Sequence, residues 1–63
     1  MPISIYSVLK KQITRNKEKV ANGTMTSEEY ATYKEETLSK MDIYLLGERI
    51  TETEYQELVE LLG

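Results

Sequence analysis

Three groups of residues in this chain could do chemistry: clustered carboxylates, tyrosines and one ridge of cations. Glu28-Glu29, Glu35-Glu36, Glu52 and Glu54 lie close enough in sequence to suggest acid/base pairs or oxygen ligands for a hard cation. Each has a simpler use. Glu29 and Glu54 stand three residues after Thr26 and Thr51, from where a glutamate reaches back to the threonine's own N–H. Glu28 and Glu52 fall in first helical turns, where negative charge complements the helix dipole, and Glu35 lies on a solvent face. The 63 residues include no cysteine and no histidine, so zinc and transition-metal ligation and the usual proton carrier near neutral pH are both missing. No glycine-rich phosphate loop, nucleophile elbow or calcium loop occurs. The chain reads as non-enzymatic, with no catalytic residues, no cofactor and no metal site.

The five tyrosines (Tyr6, Tyr30, Tyr33, Tyr44 and Tyr55) are the only aromatic rings. Proteins that stack bases on aromatics set them along a basic track, whereas most of these lie in acidic segments. They are expected to fill the core, with hydroxyls that must reach water or a partner. Lys11, Arg15 and Lys19 recur every four residues and would form a cationic ridge on a helix. Such a ridge could meet phosphates, with Gln12 or Asn16 at base edges. Against this stand a net charge of −3 and an acidic segment, Glu52–Leu62, at the position of a recognition helix. Residues 1–22 carry five basic residues against Glu18, while residues 23–63 carry ten acidic and three basic. The basic first helix is therefore expected to lie against acidic neighbours, within one chain or across a dimer.

The elements that must position these groups are announced by a repeat. Met25-Thr26-Ser27-Glu28-Glu29-Tyr30 returns 25 residues later as Ile50-Thr51-Glu52-Thr53-Glu54-Tyr55, and each copy spells a capping box after an apolar residue. Helices are expected over about 4–22, 27–46 and 52–62. In the first, Ile5, Leu9, Ile13 and Val20 form an apolar stripe flanked by Tyr6 and Val8. Pro2 belongs before it or in its first turn, and Asn22-Gly23 ends it. In the second, Tyr30, Leu38, Met41 and Leu45 face inward with Tyr33 and Tyr44 at the edge, and Gly47 stops the helix. In the third, Tyr55, Leu58, Val59 and Leu62 face inward while Glu54, Glu57 and Glu60 face out.

Short connections favour antiparallel neighbours, so the expected architecture is a single all-α domain over residues 1–63, a small three-helix bundle. A core of this size supplies roughly 3–5 kcal/mol, which makes oligomerisation an expected source of further stability. Ile43 and Leu46 fall off the second helix's apolar face. Leu46 is expected to cover the following turn, and Ile43 to meet a subunit or partner. No secretory leader and no run of about 18 apolar residues is visible, so a cytoplasmic protein that does not span a membrane is expected.

The stretch from Leu38 to Leu62 resembles C-terminal SHOCT-type helical hairpins. In these a leucine-rich helix meets a glycine-containing turn, then Ile-Thr-x-x-Glu, an aromatic residue and a leucine-rich end. Gly47, Ile50, Thr51, Glu54, Tyr55 and Leu58 carry the likeness, which covers 25 of the 63 residues. The same stretch is similar to the small XkdX-like proteins of Gram-positive phages and prophages, encoded near tail and lysis genes. The long basic first helix and the second copy of the capping signal depart from both patterns. The resemblance implies a phage- or prophage-encoded hairpin with an interaction role, in the bacterial host cytoplasm or associated with the virion. The expected function is a small protein–protein interaction or assembly module that binds itself or a larger protein. Its expected contacts are Tyr6, Ile43, Leu46 and Leu61 on the apolar side, with Lys11, Arg15 and Lys19 as a charged complement. The alternative is a small nucleic-acid-binding regulator that uses the basic first helix.

Overall fold

Every helix in this protein begins at a side-chain oxygen. The computed structural model describes residues 4–63, which form α1 (Ile5–Ala21), α2 (Ser27–Leu46) and α3 (Glu52–Leu62). Pro2 lies outside the described residues. Ser4, Thr26 and Thr51 sit in extended backbone just before the helices, and their hydroxyls accept the N–H of Ser7, Glu29 and Glu54. At the two threonines the glutamate returns the bond: Thr26 N–H donates to Glu29 Oε1 at 3.0 Å and Thr51 N–H to Glu54 Oε1 at 2.9 Å. Both expected capping boxes are present, and a side-chain cap of this kind is worth about 1 kcal/mol.

The ends of α1 and α2 are also built alike. Thr24 N–H bonds Lys19 O at 2.8 Å and Gly23 N–H bonds Val20 O at 3.3 Å; 25 residues on, Arg49 N–H bonds Tyr44 O at 2.8 Å and Glu48 N–H bonds Leu45 O at 3.1 Å. These are Schellman closures, which need a left-handed residue just after the cap. Gly23 fills that position in the first copy with φ +82°, but Glu48 fills it in the second with φ +58°. Gly47 does end α2, as expected, but as the cap itself with φ −82°, one position too early to relieve the left-handed strain. A side chain in that conformation costs roughly 1–2 kcal/mol relative to glycine.

Leu9, Ile13, Met41, Ile50, Leu58 and Leu62 form the buried core, and Ile13, Met41, Leu58 and Leu62 lose essentially all exposure. Ile5, Tyr6, Tyr30, Tyr33, Leu38, Tyr44, Leu45, Tyr55 and Leu61 pack around them half-buried. All three pairs of helices touch, giving an all-α three-helix bundle. Contacts pair Asp42 with Tyr55 and Tyr30 with Leu62, so α2 and α3 run in opposite directions. Tyr6 with Glu57 and Lys17 with Leu61 keep α1 and α3 in the same sense.

One inward assignment needs correction, and one buried residue had not been assigned. Val59 is 37% exposed, because α3 turns the side carrying Tyr55, Leu58, Leu61 and Leu62 to the core. Thr37, by contrast, is buried, four residues after Tyr33 and four before Met41 on the stripe that faces the core. Ile50 was legible only as the residue ahead of a cap, yet it is a full core member. It holds the position from which a hydrophobic staple reaches the first turn of α3.

The left-handed Glu48 leads to the first prediction. Glu48→Gly should raise unfolding free energy by about 1 kcal/mol, whereas Gly23→Ala should lower it by a similar amount. Urea denaturation followed by circular dichroism measures both, and equal effects of one sign would contradict the turn geometry.

Candidate functional site

The tyrosines tie the helices together through their hydroxyls and leave other faces free. Tyr6 of α1 donates to Glu57 Oε2 of α3 at 2.5 Å, and Tyr55 of α3 donates to Asp42 Oδ1 of α2 at 2.7 Å. Tyr30 of α2 donates to the backbone oxygen of Leu62 at 2.8 Å, and Lys17 Nζ of α1 donates to the backbone oxygen of Leu61 at 2.5 Å. The last carbonyls of a helix have no partner within it. Side chains from both other helices therefore finish the C-terminus of α3, and the Lys17 ammonium also matches the negative end of its dipole.

These links had no visible signal in the sequence. Glu57 sits on a face read as solvent-directed, and Lys17 lies outside the cationic ridge; only the rule that phenols need partners pointed toward such links. Basic α1 lies against acidic α3, as expected, with Lys10 in one groove with Glu57 and Glu60. Lys17 reaches a carbonyl and Lys10 Nζ also lies 5.8 Å from the centre of the Tyr6 ring. Among the described residues the buried Tyr33 hydroxyl has no hydrogen-bond partner, and its ring lies 6.0 Å from that of Tyr30.

The residues expected to make contacts fall into three sets. Tyr6 and Leu61 are half-buried against the core and already used, one by its bond to Glu57 and the other through its carbonyl. Lys11 and Arg15 are exposed on α1 and Lys19 is half-buried. Ile43 is 67% exposed and Leu46 86%. Leu46 does not cover the following turn, as the sequence suggested. Ile50, on the far side of the turn, is the residue that is buried there, at 3% exposure.

Ile43 and Leu46 are three residues apart on α2, hence neighbours on one helix surface, and among the described residues they are the most exposed large apolar side chains. Their outward position follows from the stripe through Tyr30, Thr37, Met41 and Tyr44, which faces the core from the opposite side of the helix. Among the described residues no three carboxylates gather as a metal site requires. No helix is long and apolar enough to cross a membrane among those residues. Comparison with family models, curated proteins and solved structures returned no match.

The phenols of Tyr6 and Tyr55 are held above the ordinary value of 10.0, first by their hydrogen bonds to Glu57 and Asp42 and then by burial. Tyr30 is raised by burial and secondarily by Tyr33. A phenol with a raised folded value stabilises the fold fully below its unfolded value and loses that contribution as pH climbs through the folded one. The melting temperature should therefore be insensitive to tyrosine ionisation below pH 10.0 and fall above it, in step with the growth of tyrosinate absorbance. Replacing the hydroxyls one at a time should separate them by sign. Tyr30→Phe should destabilise by about 1 kcal/mol through loss of the Leu62 bond, and Tyr33→Phe should be neutral or stabilising because a buried unpaired hydroxyl is removed. Urea titrations of the two variants measure the contrast.

Proposed function

We propose that this protein is a small non-enzymatic interaction or assembly module that works by burying the Ile43–Leu46 face of α2 against another protein surface. The observation that carries this reading is the exposure of two large aliphatic side chains side by side on a regular helix, at 67% and 86%. Neither contributes to the core, so the fold gains nothing from their being apolar. Isolated exposed aliphatics are ordinary, but an adjacent pair on a rigid helix is a ready centre for a contact patch. Lys11, Arg15 and Lys19 on α1 supply a charged complement.

The likeness of Leu38–Leu62 to SHOCT-type hairpins and to XkdX-like proteins supports a setting in a Gram-positive phage or prophage. In that setting the chain assembles with itself or with a larger protein, in the host cytoplasm or on the virion. The hairpin motif supports docking better than catalysis, because every residue that carries it is used in capping, turning or packing.

A photoreactive amino acid placed at position 43 should cross-link the protein to a binding partner in cells, whereas the same residue at Gln56, on the outward side of α3, should not. Equal labelling from both positions would remove the reading. The double change Ile43→Ser with Leu46→Ser should leave unfolding free energy within about 0.5 kcal/mol of the parent, since both residues are exposed.

A further inference from the structure

The outward faces of α1 and α2 carry matching patterns. On α1, Val8 is 38% exposed and shares one shallow groove with Ser7, Lys11, Gln12 and Arg15, and Lys19 continues the same stripe. Read from Val8 to Lys19, this face passes from apolar to basic. On α2, the outward face read backward from Leu46 and Ile43 passes through Ser39 to Glu36, Glu35 and Glu28, from apolar to acidic. Lys40 interrupts it, four residues after Glu36.

The spacing makes the match specific. Val8 to Lys19 is eleven residues, and Leu46 to Glu35 is also eleven, about 16 Å of helix in each case. Laid antiparallel, the two faces put Val8 on Leu46, the stem of Lys11 on Ile43, Arg15 on Ser39 one turn from Glu36, and Lys19 on Glu35 in a single register. A parallel arrangement would put Val8 on carboxylates and Lys19 on Leu46. The α1 and α2 faces of one chain cannot meet each other, because both point away from the same core. They can meet those of another copy.

Resting on the reading of Ile43–Leu46 as a contact surface, we propose that its occupant is a second copy of this chain, docked with α1 of each protomer antiparallel to α2 of the other. Because α1 and α2 are neighbours in one hairpin, a two-fold axis between two hairpins makes the same contact twice and closes the assembly as a dimer. The opposed charges of the two helices fix partner and register together. The basic first helix then serves twice: Lys10 shares a groove with Glu57 and Glu60 of its own chain, and the Lys11–Lys19 face is left for the second copy.

Sedimentation equilibrium with charge-reversed chains tests this. The parent should be a dimer. Arg15→Glu with Lys19→Glu, and separately Glu35→Lys with Glu36→Lys, should each weaken dimerisation about tenfold or more, and an equimolar mixture of the two variants should recover it as a heterodimer. Circular dichroism of each variant checks that the helices persist, and recovery in the mixture independently requires folded chains. A monomeric parent at millimolar concentration, a dimer indifferent to both reversals, or a mixture that stays monomeric would each overturn the proposal. A monomer that binds duplex DNA through Lys11, Arg15 and Lys19 would overturn it too. A monomeric parent that still cross-links to a different protein from position 43 defeats the second copy as occupant and leaves the proposed function standing. A monomer with no adduct at position 43 defeats both.

Discussion

A helix of 11 residues does not hold itself together in water, and α3 is such a helix. The rest of the structure is arranged around that constraint. Leu58 and Leu62 of α3 are buried against Ile13 of α1 and Met41 of α2, so α3 supplies a third of the six core residues from the shortest element. Its N-terminus is closed by the Thr51–Glu54 box and its C-terminus by Lys17 and Tyr30 from the other two helices. Docking and capping are therefore one event: the side chains that finish α3 reach it only when its apolar stripe is in the seam.

The tyrosines allow so small a core to do this. Without phenylalanine or tryptophan, the large rings all carry a hydroxyl, and three of them turn that hydroxyl into a link between helices. Each ring contributes apolar area at the core margin and a directional bond at the surface, which sets helix register as well as affinity. Tyr33 and Tyr44 form no such link among the described residues, and the Tyr33 ring is packed although its buried hydroxyl is unmatched there. The consequence for function is that the α1–α3 and α2–α3 seams are closed. The outer side of the α1–α2 hairpin stays open, where Val8, Ile43 and Leu46 are exposed.

The 25-residue repeat shows how one local instruction can serve two ends. Both copies stop a helix with a Schellman closure, turn, and start the next helix with a capping box, in the same order and with nearly the same distances. They differ in the depth to which the flanking apolar residue is buried. Met25, ahead of the first cap, is half-buried, whereas Ile50, ahead of the second, is in the core. The second turn also places its left-handed residue on Glu48 and not on the adjacent glycine, a strain that the surrounding packing must hold.

Element number, type and limits were legible in the sequence, because caps and turns depend on a few consecutive residues. Thr26 with Glu29, Thr51 with Glu54, and Asn22-Gly23 act over three or four positions, and the 3.6-residue period of Leu9, Ile13, Met41 and Leu58 does the same for the core faces. The exposure of Ile43 was likewise readable from its place off the stripe. Tertiary structure alone decided the pairings that join distant positions: Tyr6 with Glu57, Tyr55 with Asp42, and Lys17 and Tyr30 on the end of α3. It also sent Ile50 inward and left Leu46 and Val59 in the open. Periodicity assigns a residue to a face, but which part of that face is covered depends on where a neighbouring helix ends, and α3 is too short to cover it all.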